Sequence, residues 1–270
     1  MPVVVHLSDL HFGRVDERLL SPLVAAVGAA RPDVVVVSGD LTQRARKSEF
    51  RAARAFLDRL PGPRIIVPGN HDVPLYNVFD RFLRPLALFR RFIEPDPLPR
   101  FVGAGLAVIG VNTARALVVK NGRINEEQIQ AIRAAFSPLA PAVMRVVVTH
   151  HPFDAGAAMD PGDRVGRAGL AMHAFAECGI DLLLSGHLHL AYSGEASLSA
   201  RTLEGYGALA VSAGTATSTR VRGEPNEFNV LQISDRGIEI ERHAWTPDTG
   251  VFARTGVSSF VRDDEGWRKS

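Results

Sequence analysis

The 270-residue chain has a single cysteine, Cys178, so no disulfide can form within it. On a stretch of helical pattern that thiol reads as a small buried hydrophobe. Lysine is almost missing. It stands only at Lys47, Lys120 and Lys269, which leaves 28 of the 31 basic residues as arginine. With 29 acidic residues the formal charge is just +2, and no dense basic track is visible, so nucleic acid is a poor fit as partner. Arginine nonetheless suits bidentate phosphate contacts, which keeps a small anionic substrate open. No uncharged apolar stretch approaches the ~20 residues that span a bilayer. The first residues enter a strand pattern at Val3 without the basic and apolar regions of a secretory signal, so a cytoplasmic location is expected. No low-complexity block, composition break or internal repeat marks a linker, and residues 1–270 read as one domain.

What is present is a series of short Val-, Ile- and Leu-rich runs, at 3–7, 34–38, 64–68, 146–149 and 181–185. Runs this short, separated by helical patterns at 18–30, 48–60, 126–136 and 170–177, read as buried strands of an α/β protein. Residues 106–111 form a further strand that ends in Asn112. The segment 190–243 turns β-rich, with antiparallel strands near 208–212, 229–234 and 237–243 and a turn at Asp235-Arg236-Gly237. The tail 244–270 is polar with scattered aromatics; it folds back over its own sheet or reaches across a homodimer, and the residues do not choose.

Each of the five runs is followed at once by metal-competent side chains: Asp9-Leu10-His11, Gly39-Asp40, Gly69-Asn70-His71-Asp72, His150-His151-Pro152 and Gly186-His187-Leu188-His189. Ligands of open α/β sheets gather where the carboxyl ends of strands converge. Asp9, His11, Asp40, Asn70, His150, His187 and His189 are too many donors for one tetrahedral zinc. They suit two cations sharing a carboxylate, at the ~3.5–4 Å spacing of two-metal hydrolases. Two divalent ions against two aspartates leave residual positive charge, enough to bind a phosphate group and hold a bridging hydroxide. The mixed imidazole, carboxylate and amide set points to manganese, iron, zinc or cobalt rather than calcium. Gly39, Gly69 and Gly186 each precede a ligand where a strand turns and a β-carbon would obstruct.

These motifs, in this order, resemble the calcineurin-like metallophosphoesterase superfamily from Asp9 to His189. That resemblance implies a four-layer α/β/β/α sandwich. It assigns Asp9, His11 and His189 to one metal, Asn70, His150 and His187 to the other, and Asp40 to the bridge. His71 would contact the phosphate and protonate the leaving oxygen. Asp72 orients His71 or serves only as an acidic residue near the next helix start. The Ser8-Asp9-Leu10-His11 and Gly69-Asn70-His71-Asp72 forms are similar to bacterial class III cyclic nucleotide phosphodiesterases. They differ from protein Ser/Thr phosphatases, because Gly39-Asp40-Leu41-Thr42-Gln43-Arg44 lacks the Gly-Asp-x-Val-Asp-Arg-Gly pattern. They also differ from lipid A precursor hydrolases, which place arginine where His71 stands. A 3′,5′-cyclic nucleotide is thus the expected substrate; a lipid-linked phosphodiester or pyrophosphate such as a UDP-diacylglucosamine, a nuclease role, and a metal-bound interaction scaffold are the rivals.

Outside the motifs, Asn112, Arg44, Arg115, Arg220 and Arg222 are candidates for substrate contacts, set against a solvated surface role for each arginine. His151 reads as a neighbour of His150 facing the other way, and His6, His173 and His243 as structural. The segment 76–93, within an insertion at 74–96, carries Phe79, Phe82, Leu83, Leu86 and Ile93 with four arginines and a break at Pro85. The simpler expectation is a kinked helix packed over the sheet; the sharper one is a cap or a peripheral lipid contact.

Overall fold

The computed structural model describes the chain except residues 119, 155–158, 160, 190–191, 197–206, 220–223, 236 and 264–265. Arg220 and Arg222, and Arg236 of the expected turn, lie outside the described residues.

The first three apolar runs form parallel neighbours β1 (Val3–Leu7), β2 (Val34–Ser38) and β3 (Arg64–Val67). The second sheet takes β4 (Arg100–Gly103), β5 (Leu106–Gly110), β6 (Met144–Val148), β7 (Leu182–Ser185), β8 (Tyr192–Ala196) and β9 (Ala208–Ser212), in the order β4-β5-β6-β7-β9-β8. Within it β5, β6, β7 and β9 are parallel. The chain then returns to the first sheet with β10 (Glu227–Ile233), antiparallel to β1, and adds β11 (Gly237–Thr246), β12 (Val251–Asp263) and β13 (Gly266–Lys269) at its edge. The tail therefore folds onto its own sheet, with Phe252, Phe260 and Trp267 buried. A register shift between Arg242 and His243 marks a bulge where β11 meets β12.

Strand parity builds the layers. In β1 and β2, Val4, Val34 and Val36 face the other sheet, where Leu106, Val108, Val146, Val148, Leu182 and Leu184 meet them in one core. The alternate residues Val5, Leu7, Val35 and Val37 turn outward and pack under helices α1 (Glu17–Ala29) and α2 (Lys47–Leu57). On the far side Ala107, Ile109, Val147 and Leu183 lie beneath the later helices at Glu126–Phe136 and Ala168–Glu177. Three cores separate four layers, α/β/β/α. Both faces of the central strands are covered, which is why their sequences run apolar without alternation.

Between β3 and β4 come two short helices, α3 (Val78–Leu83) and α4 (Ala87–Phe92), with α5 (Glu126–Phe136) and α6 (Ala168–Glu177) following. Pro85 breaks the first pair, as the sequence implies. Leu86, Phe89 and Ile93 are buried beside α2, but Phe79, Phe82 and Leu83 are exposed. The expected single packed stripe is thus two halves with opposite exposure. Among the described residues no helix is long and apolar enough to cross a membrane.

Candidate metal centre

The carboxyl ends of β1, β2, β3, β6 and β7 meet at one edge of the sandwich, and their loops are held in unusual backbone conformations. Asp9, His11, Asp40, His187 and His189 all have left-handed φ, between 51° and 71°. Such angles cost of order 1 kcal/mol or more each for a non-glycine residue and persist only where surrounding contacts enforce them. Here they turn each side chain inward. Gly39 has φ +92° and lies against His150, where a β-carbon would come within 2.7 Å of Nδ1. At Gly186 a β-carbon would fall 1.8 Å from Ser8 Oγ, so the two sheets' loops interlock there.

The seven expected ligands converge. Asp9 Oδ1 lies 3.5 Å from His11 Nε2 and 3.7 Å from His189 Nε2. Asp40 stands between two groups: Oδ2 is 3.7 Å from His11 Nε2, and Oδ1 is 3.4 Å from His150 Nε2. Asn70 Oδ1 is 3.1 Å from His150 Nε2. His187 lies beside His150, with ring centroids 5.2 Å apart. The nitrogen–carboxylate separations are long for hydrogen bonds (~3.0 Å). They match the edges of a coordination polyhedron, since two donors each ~2.1 Å from one cation sit about 3.4 Å apart. The residues present fit metal ions.

Neighbouring groups aim these donors. His150 Nδ1 donates to Ser38 O at 2.8 Å, and His189 Nδ1 lies 2.6 Å from Thr215 Oγ1, so both rings turn Nε2 to the centre. Ser8 Oγ donates to Asp9 Oδ2 at 2.7 Å, and the His187 backbone N–H donates to the same oxygen at 3.2 Å. His151 is engaged through both ring nitrogens, with Thr113 Oγ1 at 2.8 Å and Lys120 O at 2.9 Å, and serves as a buried strut behind His150. Ser8 sits inside a motif and was legible; Thr215, far along the chain after β9, carried no sequence signal.

Charge follows the same pattern. Burial opposes ionisation of Asp9, but the imidazoles of His189 and His11 hold its carboxyl well below the usual range. Asp40 behaves alike, with His150 as the chief opposing group. Burial would lower His150, yet Asp40 and Asp9 lift it to about 9. Burial and then His150 push His187 down to about 4.

His71 directs Nδ1 to Gln43 O at 3.0 Å, and its backbone N–H donates to Asp40 Oδ1 at 2.8 Å. Asp72 does not hydrogen-bond the His71 ring. Its carboxylate accepts from the N–H groups of Leu41, Thr42 and Gly69 and from Thr42 Oγ1, at 2.9–3.1 Å. It therefore fixes the loop on which His71 rides. Burial and then Asp40 raise its pKa to about 6, against those hydrogen bonds.

The substrate candidates are more dispersed. Arg44 places its guanidinium over the Tyr76 ring, 5.3 Å from the centroid. Asn112 and Arg115 lie together beside α4, Arg115 bonding Gln128 Oε1 and the Asn112 carbonyl. His6 bonds Ser38 Oγ in the core between the sheets, at 2.9 Å.

Residues 2–191 match the family described as calcineurin-like phosphoesterase. The chain belongs to that family. Over 95 residues it is 36% identical to the glycerophosphodiester phosphodiesterase GpdQ of Enterobacter lignolyticus (strain SCF1), a stretch covering 31% of this chain and 34% of that protein. The whole fold is similar to a dimetal phosphatase from Danio rerio, with TM-score 0.67, 14% identity, and 97% and 99% of the two chains covered. It is also similar to a purple acid phosphatase from yellow lupin (Lupinus luteus) seeds, with TM-score 0.68 and 12% identity. That likeness covers 95% of this chain but about half, 53%, of the lupin protein. The family match ends before β10, so the antiparallel edge of the first sheet lies beyond it.

Proposed function

We propose that this chain hydrolyses small phosphodiesters at a centre of two divalent cations, with manganese, iron, zinc or cobalt as the fitting metals. Asp9, His11 and His189 would hold one ion, Asn70, His150 and His187 the other, and Asp40 both. The observation that carries the reading is the Asp40 carboxylate, whose two oxygens face the imidazoles of the two groups at 3.7 and 3.4 Å. When bound, the ions would supply Lewis acidity and a nucleophile from water near neutral pH.

The protein's own groups do the rest. The Gln43 carbonyl accepts from His71 Nδ1–H, which leaves Nε2 for the departing oxygen; the imidazolium form gives its Nε2 proton there and is left as the neutral Nδ1–H ring. Asp72 keeps that ring in place through the backbone of its loop. Arg44 and Arg115 supply charge for phosphoryl oxygens, with Asn112 beside Arg115. The fixed loops of the centre mean that little reorganisation is needed as charge develops. A diester rather than a monoester is supported by the likeness to a glycerophosphodiester phosphodiesterase. The motif forms favour a 3′,5′-cyclic nucleotide among diesters.

Chelator-stripped protein reloaded with manganese should hydrolyse bis(p-nitrophenyl) phosphate, and parallel rates on 3′,5′-cyclic AMP and glycerophosphocholine would rank the natural classes. Loaded protein that turns over none of the three would instead favour a metal-bound scaffold. Turnover of the aryl diester without cyclic AMP would retain the centre and discard the nucleotide.

A further inference from the structure

Helix α3 is built inside out. Val78, Phe79, Phe82 and Leu83 are 52–69% exposed, while Arg81 on the same six-residue helix is 7% exposed and donates to Pro74 O at 3.1 Å. Across from it stands Leu117, 85% exposed, on the loop that follows β5. Large apolar side chains gathered in solvent on both sides of one cleft mark a place where something apolar sits.

The cleft between them holds about 660 Å³, within the range of small-molecule sites. Phe82, Leu83, Leu86 and Leu117 give it apolar walls, and Arg84, Arg90, Arg115 and Arg123 give it charge; among the described residues no carboxylate lines it. Arg84 is paired with Asp80 at 2.5 Å. Among the described residues no ion pair joins Arg90, Arg115 or Arg123 to an acid. Arg115 is lowered from its usual value by burial and then by the nearby Arg123 cation, as expected for cations facing one another without a counter-ion. Both walls lead back to the metal centre. One descends from the His71 loop through Tyr76, and the other from Asn112 and Thr113, whose Oγ1 meets His151 at 2.8 Å. A concave groove with two walls suits a chain better than the plane of a bilayer.

We propose that this groove takes the hydrocarbon chain of an anionic amphiphile, so that the substrate of the centre is a lysophospholipid-like phosphodiester. The chain lies along Phe82, Leu83 and Leu117, and Arg115 and Arg123 take anionic oxygens. The substrate assignment rests on the phosphodiesterase reading above; the groove does not.

Calorimetric titration of metal-stripped protein with dodecyl phosphate, below its micelle concentration, and with butyl phosphate tests the groove alone. Each fully buried methylene is worth roughly fourfold, so burying about three or four of the extra methylenes in this open groove should make dodecyl phosphate bind on the order of 100-fold tighter. The Leu83→Ser, Leu117→Ser double variant, exposed at both sites and expected to keep its Tm, should cut that preference below about tenfold. Equal affinities, or a preference the double variant leaves intact, would overturn the proposal. So would a dimer that the variant dissolves, or binding to anionic vesicles with no chain-length dependence. In manganese-loaded protein, dodecyl p-nitrophenyl phosphate should exceed its methyl analogue in kcat/KM. Hydrolysis of both at equal efficiency would overturn the substrate assignment and keep the centre. Chain preference in calorimetry with neither diester hydrolysed would sink the substrate assignment together with the phosphodiesterase reading.

Discussion

The loops around Asp40 and helix α3 both depart from local rules, in opposite directions. At the centre, polar side chains are buried and five residues adopt left-handed backbone, yet hydrogen bonds with Ser8, Ser38, Thr42 and Thr215 hold the site together. At α3, apolar side chains face solvent and an arginine is buried, with no element among the described residues covering the exposed face. The first departure is compensated from within the fold, and the second is open to a ligand. Rigid groups that must be placed within tenths of an ångström belong in the first setting; a variable chain belongs in the second.

Changes at the two regions should therefore act differently. The largest effect is expected at His71. His71→Ala should lower kcat by about 10²–10⁴-fold on a diester with a poor leaving group and far less with p-nitrophenolate, with metal content unchanged. Equal loss on both leaving groups would remove its role as proton donor. Gly186→Ala would drive a β-carbon to 1.8 Å from Ser8 Oγ. A loss of ~1–3 kcal/mol in unfolding free energy should accompany weakened metal binding, whereas the exposed Leu83→Ser should leave stability within ~0.5 kcal/mol. A stability scan showing the two alike would break the comparison.

Metal loading should depend on pH through His150. Its pKa in metal-free protein is about 9, above the ordinary value, so this proton stabilises the metal-free fold below about pH 6.5 and the benefit is lost as pH rises through 9. A protonated imidazole cannot ligate. Apparent affinity should thus rise with pH from 6.5 to 9, by up to about tenfold per unit, and level off above. A flat profile from competition titration would contradict that charge balance. The smallest effect is expected from Thr215→Val, which removes the contact that orients His189 and should weaken one of the two ions by roughly 10-fold.

Much of this was legible in the sequence because both faces of the central strands are buried, so the apolar runs at Val3–Leu7 and Val34–Ser38 coincide with β1 and β2. The candidate ligands follow the strand ends directly, so Asp9, Asp40 and His187 could be singled out without tertiary information. Thr215 could not be found that way, since its proximity to His189 depends on β9 lying beside β7. Periodicity also misled at Phe79, Phe82 and Leu83. It identifies an apolar face but not whether the protein supplies the surface that covers it. The strands of the tail were obscured by the bulge at Arg242/His243 and by the solvent-facing valines Val251, Val257 and Val261 of β12.

The central claim is that Asp40 serves two ions at once. Metal stoichiometry of manganese-reloaded wild-type and Asp40→Ala protein, read by mass spectrometry of the native chain alongside aryl diester turnover, tests it most directly. Two ions per wild-type chain, one or none in the variant, and a rate loss on the order of 10³-fold are predicted. A variant that keeps two ions and its turnover would contradict the account.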